Sequence, residues 1–190
     1  MESDTPKWAE HVARDVLAEP LPRRWGHTQG VAEQARRVGL VLGWDTDLIE
    51  ASAWLHDIGY APSLATTGFH PLDGARYLRD VEQADPVLCT LVAHHTGAVV
   101  EAAKRGLAEE LLKEFPVDDP DALTLITMVT YCDLTTGPAG QRLTPEDRFA
   151  EILTRYEPGT PVHEAVSQSA PGLLEQCREI TAALTARQRP

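Results

Sequence analysis

The chain has 190 residues, of which 43% are hydrophobic and 24% charged, and its formal net charge is −12. That size suits one domain with a sizeable core, and the excess of acidic side chains argues against a nucleic-acid polymer as partner, because such binding neutralises phosphates with Lys and Arg. No apolar run is long enough to span a bilayer, and the first residues lack the basic-then-apolar layout of a secretory signal. With Cys89, Cys132 and Cys177 far apart and in apolar surroundings, the reading is a cytoplasmic protein with reduced core cysteines.

In chain order the pattern is helical nearly throughout. Trp8, Val12 and Val16 mark a first amphipathic helix; Val31, Ala35, Val38 and Leu42 mark a second that ends near Gly43. Thr46 is expected to cap a third that runs through Leu48, Ser52 and Leu55 to Gly59. Pro71 fits the first turn of a fourth, and Asp85-Pro86 opens a fifth. The charged stretch from Glu101 to Glu114 reads as a helical excursion over the site, and Pro120-Asp121 begins the helix that carries Cys132. Thr144-Pro145-Glu146-Asp147 starts the next helix. The tail from Pro161 to Gln188 is expected to hold two helices parted by Ala170-Pro171-Gly172. No strand alternation stands out, so the class is all-α, a single-domain helical bundle: an N-terminal helix over 1–20, a core over 21–140, and a helical extension over 141–190 packed on that core.

The ionisable residues on the inward faces are the unusual feature. "AWLHDIGY", residues 53–60, sets His56 and Asp57 among Ala53, Trp54, Leu55 and Ile58. Read as helix, the pair stands about 100° apart, so both can converge on a point beside it. His27 lines up with Val31, Ala35 and Val38; His95 extends the stripe of Leu88, Leu91 and Val92; Asp133 extends that of Ile126 and Val129. A lone buried histidine is usually an ordinary core residue, and a lone buried aspartate a cap or an ion-pair partner. Several together, on different helices, share one economical solution. A metal ion accepts the imidazole lone pairs, balances the carboxylates and removes the burial penalty, and helix bundles build such sites from facing side chains.

His27 in "HTQGVAEQA", the doublet in "WLHDIGY" and Asp133 in "VTYCDLTT" follow the order and type of the HD-domain metal-dependent phosphohydrolases, and from Trp25 to Thr136 the chain resembles that superfamily. The resemblance implies an all-helical fold in which His27, His56, Asp57 and Asp133 bind a metal. "HPLDGARYL" from His70 and "VAHHTG" around His94 and His95 look like the extra ligand segments of binuclear members. Seven candidates (His27, His56, Asp57, His70, His94, His95 and Asp133) exceed what one octahedral ion with an open position uses. Two divalent ions bridged by Asp57 and a hydroxide would use nearly all of them. Which of His94 and His95 is a ligand is open, the other being a substrate contact or an additional ligand. The nitrogen and carboxylate donors suit iron, manganese, cobalt or nickel better than a structural zinc; zinc or magnesium stays within the range.

The implied chemistry is hydrolysis of a phosphoester or phosphoanhydride in a small phosphorylated substrate, first among them a nucleotide. Asp57, His94 and Lys104 are the candidate catalytic residues; Lys104, Arg105 and Arg142 are candidate cations for the substrate's remaining charge, with Arg76 and Arg79 behind them. Asp73 is expected to serve the helix dipole, and His11 and His163 to be surface residues. "HHTGAVV" lacks the GYP signature of the cyclic-dinucleotide branch. The same ligand set occurs in the rarer HD-type oxygenases, where a mixed-valent di-iron pair cleaves C–C or C–P bonds, and a non-catalytic nucleotide-binding sensor is a third reading. Oligomeric state is left open, a homodimer included.

Overall fold

The computed structural model describes residues 4–187. It is all-helical, with no strand among the described residues: α1 (Thr5–Leu17), α2 (Pro22–Leu42), α3 (Thr46–Leu55), α4 (His70–Asp80), α5 (Pro86–His94), α6 (Ala98–Arg105), α7 (Ala108–Glu114), α8 (Pro120–Leu134), α9 (Pro145–Arg155) and α10 (Pro161–Arg187), with 3-10 turns at Ile58–Tyr60 and His95–Gly97. α3 packs against α1 and α2, and α8 lies against α2, α3 and α5. The fully buried side chains include Leu17, Ile49, Leu55, Ile58, Leu72, Leu88, Leu91, Met128 and Leu134, so the apolar stripes of these helices form one core. None of the described helices is long and apolar enough to cross a membrane. The three cysteines are free and buried.

The sequence pattern and the structure differ at several helix ends. The cap of α3 is Asp45, whose Oδ1 accepts from the Leu48 amide at 3.0 Å, rather than Thr46. α3 also stops at Leu55, so His56 and Asp57 occupy the turn that follows it and do not lie within a helix reaching Gly59. The stretch 101–114 divides into α6 and α7 at a turn around Gly106.

The tail is the largest correction. It forms one helix, α10, with Pro171 inside it. An interior proline costs about 3 kcal/mol through its missing N–H and its steric clash. Against that cost, Leu173, Cys177, Ile180 and Leu184 are all buried along one side, and α10 packs against α6, α8, α9 and α2. Tertiary burial outweighs the local preference for a break.

Two glycines set how closely the site-bearing segments approach. At Gly30, one turn after His27, a Cβ would lie 2.5 Å from the Gly140 carbonyl oxygen. At Gly59 it would lie 2.1 Å from the His70 carbonyl oxygen and 2.6 Å from the Gly74 nitrogen. The obstacles are backbone atoms, so no rotamer change can relieve them. Gly59 therefore lets the turn carrying His56 and Asp57 seat against the start of α4. Gly59→Ala is expected to lower stability by about 3 kcal/mol or to unfold the chain, through overpacking at backbone, as read by urea denaturation.

Candidate metal centre

The turn after α3 places Asp57 at the centre of a ring of imidazoles. Asp57 Oδ2 lies 3.4 Å from His56 Nε2 and 3.8 Å from His27 Nε2, while Oδ1 lies 3.5 Å from His70 Nε2. Asp133, at the end of α8, stands 3.1 Å from His27 Nε2. His70 Nε2 and His95 Nε2 are 3.2 Å apart. Potential donor atoms therefore fall into two groups that share Asp57, one with His27 and His56 and one with His70 and His95.

The backbone fixes the orientation of three of these rings. Nδ1 of His27, His56 and His95 faces the carbonyl oxygens of Gly137, Ala53 and Val92 at 3.1, 2.7 and 2.7 Å. An Nδ1–H donating to each carbonyl leaves Nε2 as the lone-pair atom, turned to the interior. The Nε2 atoms of His27 and His56 are buried and have no hydrogen-bond partner among the described residues. A lone pair held close to a carboxylate and away from water is unfavourable unless a proton or a metal cation lies between them. The donor set thus fits divalent metal, and the fit rests on those orphaned nitrogens.

The charges around the centre are otherwise organised by arginines. Arg24, one turn ahead of His27 on α2, donates from Nη1 to Asp57 Oδ2 at 2.5 Å. Its guanidinium also lies over the Tyr60 ring, 3.4 Å from the ring centre, and Tyr60 in turn stacks on His70 at 3.9 Å. Arg148 of α9 donates to Asp133 Oδ1 at 3.3 Å, and Thr96 Oγ1 donates to Asp133 Oδ2 at 2.7 Å. Thr96 holds a left-handed backbone (φ 49) between His95 and Gly97, and its amide donates to Thr130 Oγ1. A non-glycine residue in that region stores strain that surrounding contacts must hold.

Burial opposes ionisation of Asp57, yet Arg24, His56 and His70 hold its carboxyl well below the usual range. Burial likewise opposes ionisation of Asp133, and His27 and Arg148 hold it low. Burial pushes His70 well below the usual imidazole value and His95 down to about 4, which keeps both rings neutral. His56 moves upward despite burial because Asp57 is beside it.

The other sequence candidates fall elsewhere. His94 ends α5 with Nε2 2.6 Å from the Phe115 carbonyl oxygen and joins neither donor group. The turn at His95–Gly97 sends the two neighbouring rings to different places, and His95 is the one at the centre. Lys104 faces Glu164 at 3.7 Å, Arg105 donates to Glu101 at 2.7 Å, and Arg142 is exposed in the loop after α8. None of these three cations lines the cleft. Arg76 and Arg79 pair with Glu114 of α7. Asp73 is buried in the first turn of α4, where an acidic residue suits the helix dipole as expected, and it also accepts from the Thr66, Thr67 and Gly68 amides, tying down the loop that leads into His70. His11 is exposed and His163 half-buried on α10.

Arg24, Arg148, Thr96 and Tyr60 are the site residues that motif reading missed. Arg24 had a signal, its place three residues before His27 on the same helix face. Arg148 had none, because α9 reaches the cleft only through tertiary packing.

Asp57→Ala is expected to abolish binding at both groups, and His70→Ala to halve metal content with the helical fold retained, as read by elemental analysis and circular dichroism. Equal metal content in His70→Ala and the unaltered protein would show a single-ion site.

Comparison with curated proteins and with solved structures returns no match. The HD domain family matches residues 24–158, a span that takes in every donor of both groups and also Arg148 of α9. The chain belongs to the HD-domain family.

Proposed function

We propose that this protein is a metal-dependent phosphohydrolase that cleaves a phosphoester or phosphoanhydride bond in a small phosphorylated substrate, with nucleotides the first class to screen. The observation that carries this reading is the pair of orphaned imidazole nitrogens, on His27 and His56, buried against two ionised carboxylates and ringed by guanidinium groups. Divalent ions at such a centre supply Lewis acidity and a water of lowered pKa; iron, manganese, cobalt and nickel suit the donors, and the sharing of Asp57 by two groups favours two ions.

The remaining work belongs to the chain. His27, His56, Asp57, His70, His95 and Asp133 would hold the ions. Arg24 and Arg148 neutralise Asp57 and Asp133 in the protein as it stands. Arg24 lines the cleft beside Asp57, and its guanidinium fork would take the non-bridging oxygens of a phosphate, the geometry for which arginine is suited; Arg148 is held by Asp133 and Glu151 and would fix Asp133 in place. Thr96 holds Asp133 from the far side, and the Tyr60 ring keeps Arg24 close to the centre.

The test is a phosphate-release screen over nucleotides with manganese- and iron-loaded protein, in air and under argon. Metal-dependent release that is equal in both atmospheres is expected. Turnover that needs oxygen would instead establish the di-iron oxygenase chemistry, and tight nucleotide binding without turnover would establish a sensor. Arg24→Ala is expected to lower kcat/KM by about 100-fold with metal content unchanged, on the scale of losing one transition-state charge contact, and Arg24→Lys to restore only part of it.

A further inference from the structure

Two unlike sets of residues line the cleft at the metal centre. One is polar and carries Asp57, His70, His95 and Asp133. The other is apolar: Ile152 of α9, Tyr156 just past its end, and Val162 and Val166 in the first two turns of α10, with Ala98 of α6. Nothing in the metal centre needs this second set, yet it bounds the same space. Glu101 and Arg155 also line the cleft, but both are matched within the protein. Glu101 accepts from Arg105 Nε at 2.7 Å, and Arg155 Nε lies 2.9 Å from Glu151. The wall that α9 and α10 offer to a ligand is therefore apolar.

The size of the cleft limits what can meet that wall. Its free volume is about 80 Å³, far below the roughly 300–1,000 Å³ of sites that enclose a drug-sized ligand. A phosphate at the donor groups leaves room for a short group beside it and not for a ribose and a base. Tyr156, Val162 and Val166 are half-buried, so each keeps apolar surface that gains from contact with apolar atoms of a ligand.

We propose that Tyr156, Val162 and Val166 determine specificity by receiving the group esterified to the phosphate. The preferred substrates are then phosphate monoesters of short apolar alcohols, and nucleotides are cleaved more slowly. The inference rests on the phosphohydrolase reading for the bond that is cleaved, but the apolar contact itself is defined by binding. Each methylene buried against the wall is worth about fourfold in affinity.

Calorimetry of the full chain, loaded with manganese and kept under argon, reads that contact without turnover when the probes are methylphosphonate and propylphosphonate. Propylphosphonate is expected to bind about tenfold more tightly. Val162→Ser and Val166→Ser are each expected to cut that margin to about threefold or less. Leu123→Ser, an apolar-to-serine change at an exposed position of α8, is expected to leave it within about twofold. In phosphate release, Tyr156→Ala widens the cleft and is expected to raise kcat/KM for a nucleoside monophosphate relative to propyl phosphate by about tenfold. Absence of the propyl margin, its survival in both valine variants, or an equal loss in Leu123→Ser would overturn the specificity role. A nucleoside monophosphate cleaved faster than propyl phosphate by the unaltered protein would overturn the substrate class and uphold the hydrolase. Failure of release from every ester would overturn the hydrolase reading, and the calorimetry would still decide the apolar contact.

Discussion

The structure depends on keeping the Asp57 carboxylate ionised in the core. A buried carboxylate without partners is expensive enough to protonate or to unfold its surroundings. Here it is enclosed by His27, His56, His70 and Arg24, which come from α2, the turn after α3 and the start of α4. Those segments must therefore stay in one arrangement for the charge to be tolerated. The close backbone contact at Gly59 seats that turn on the start of α4, and the contact at Gly30 brings α2 against the loop after α8.

Much of the remaining construction fixes direction. Three rings are set by backbone carbonyls at Gly137, Ala53 and Val92, so their inward nitrogens are those free to act as ligands. Asp73 anchors the loop ahead of His70, and Thr96 anchors Asp133 at the cost of a left-handed backbone. A ligand set positioned by such outer contacts needs little rearrangement when an ion binds, which is what a catalytic or binding centre requires. The arginines serve the same purpose electrostatically, since they hold the place of positive charge around both carboxylates.

The site draws on both ends of the matched span. Arg24 enters from the first turn of α2 and Arg148 from α9, beyond the last aspartate. The chain after residue 140 is thus joined to the site through α9, and α10 packs on α6, α8 and α9.

Helical periodicity and residue type determined the class, most of the helices and the candidate donors His27, His56, Asp57, His70 and Asp133, because apolar spacing and donor chemistry are local properties of the chain. Tertiary structure decided what local pattern does not contain. The turn after α5 chose His95 over His94, since a break in helical geometry redirects adjacent rings in a way that spacing does not encode. Packing of the last helix carried it through Pro171 where local preference favoured a break. Arg24, Arg148 and Arg155 line the cleft and Lys104, Arg105 and Arg142 do not, because a long flexible side chain is committed only by the carboxylate that folding brings within its reach.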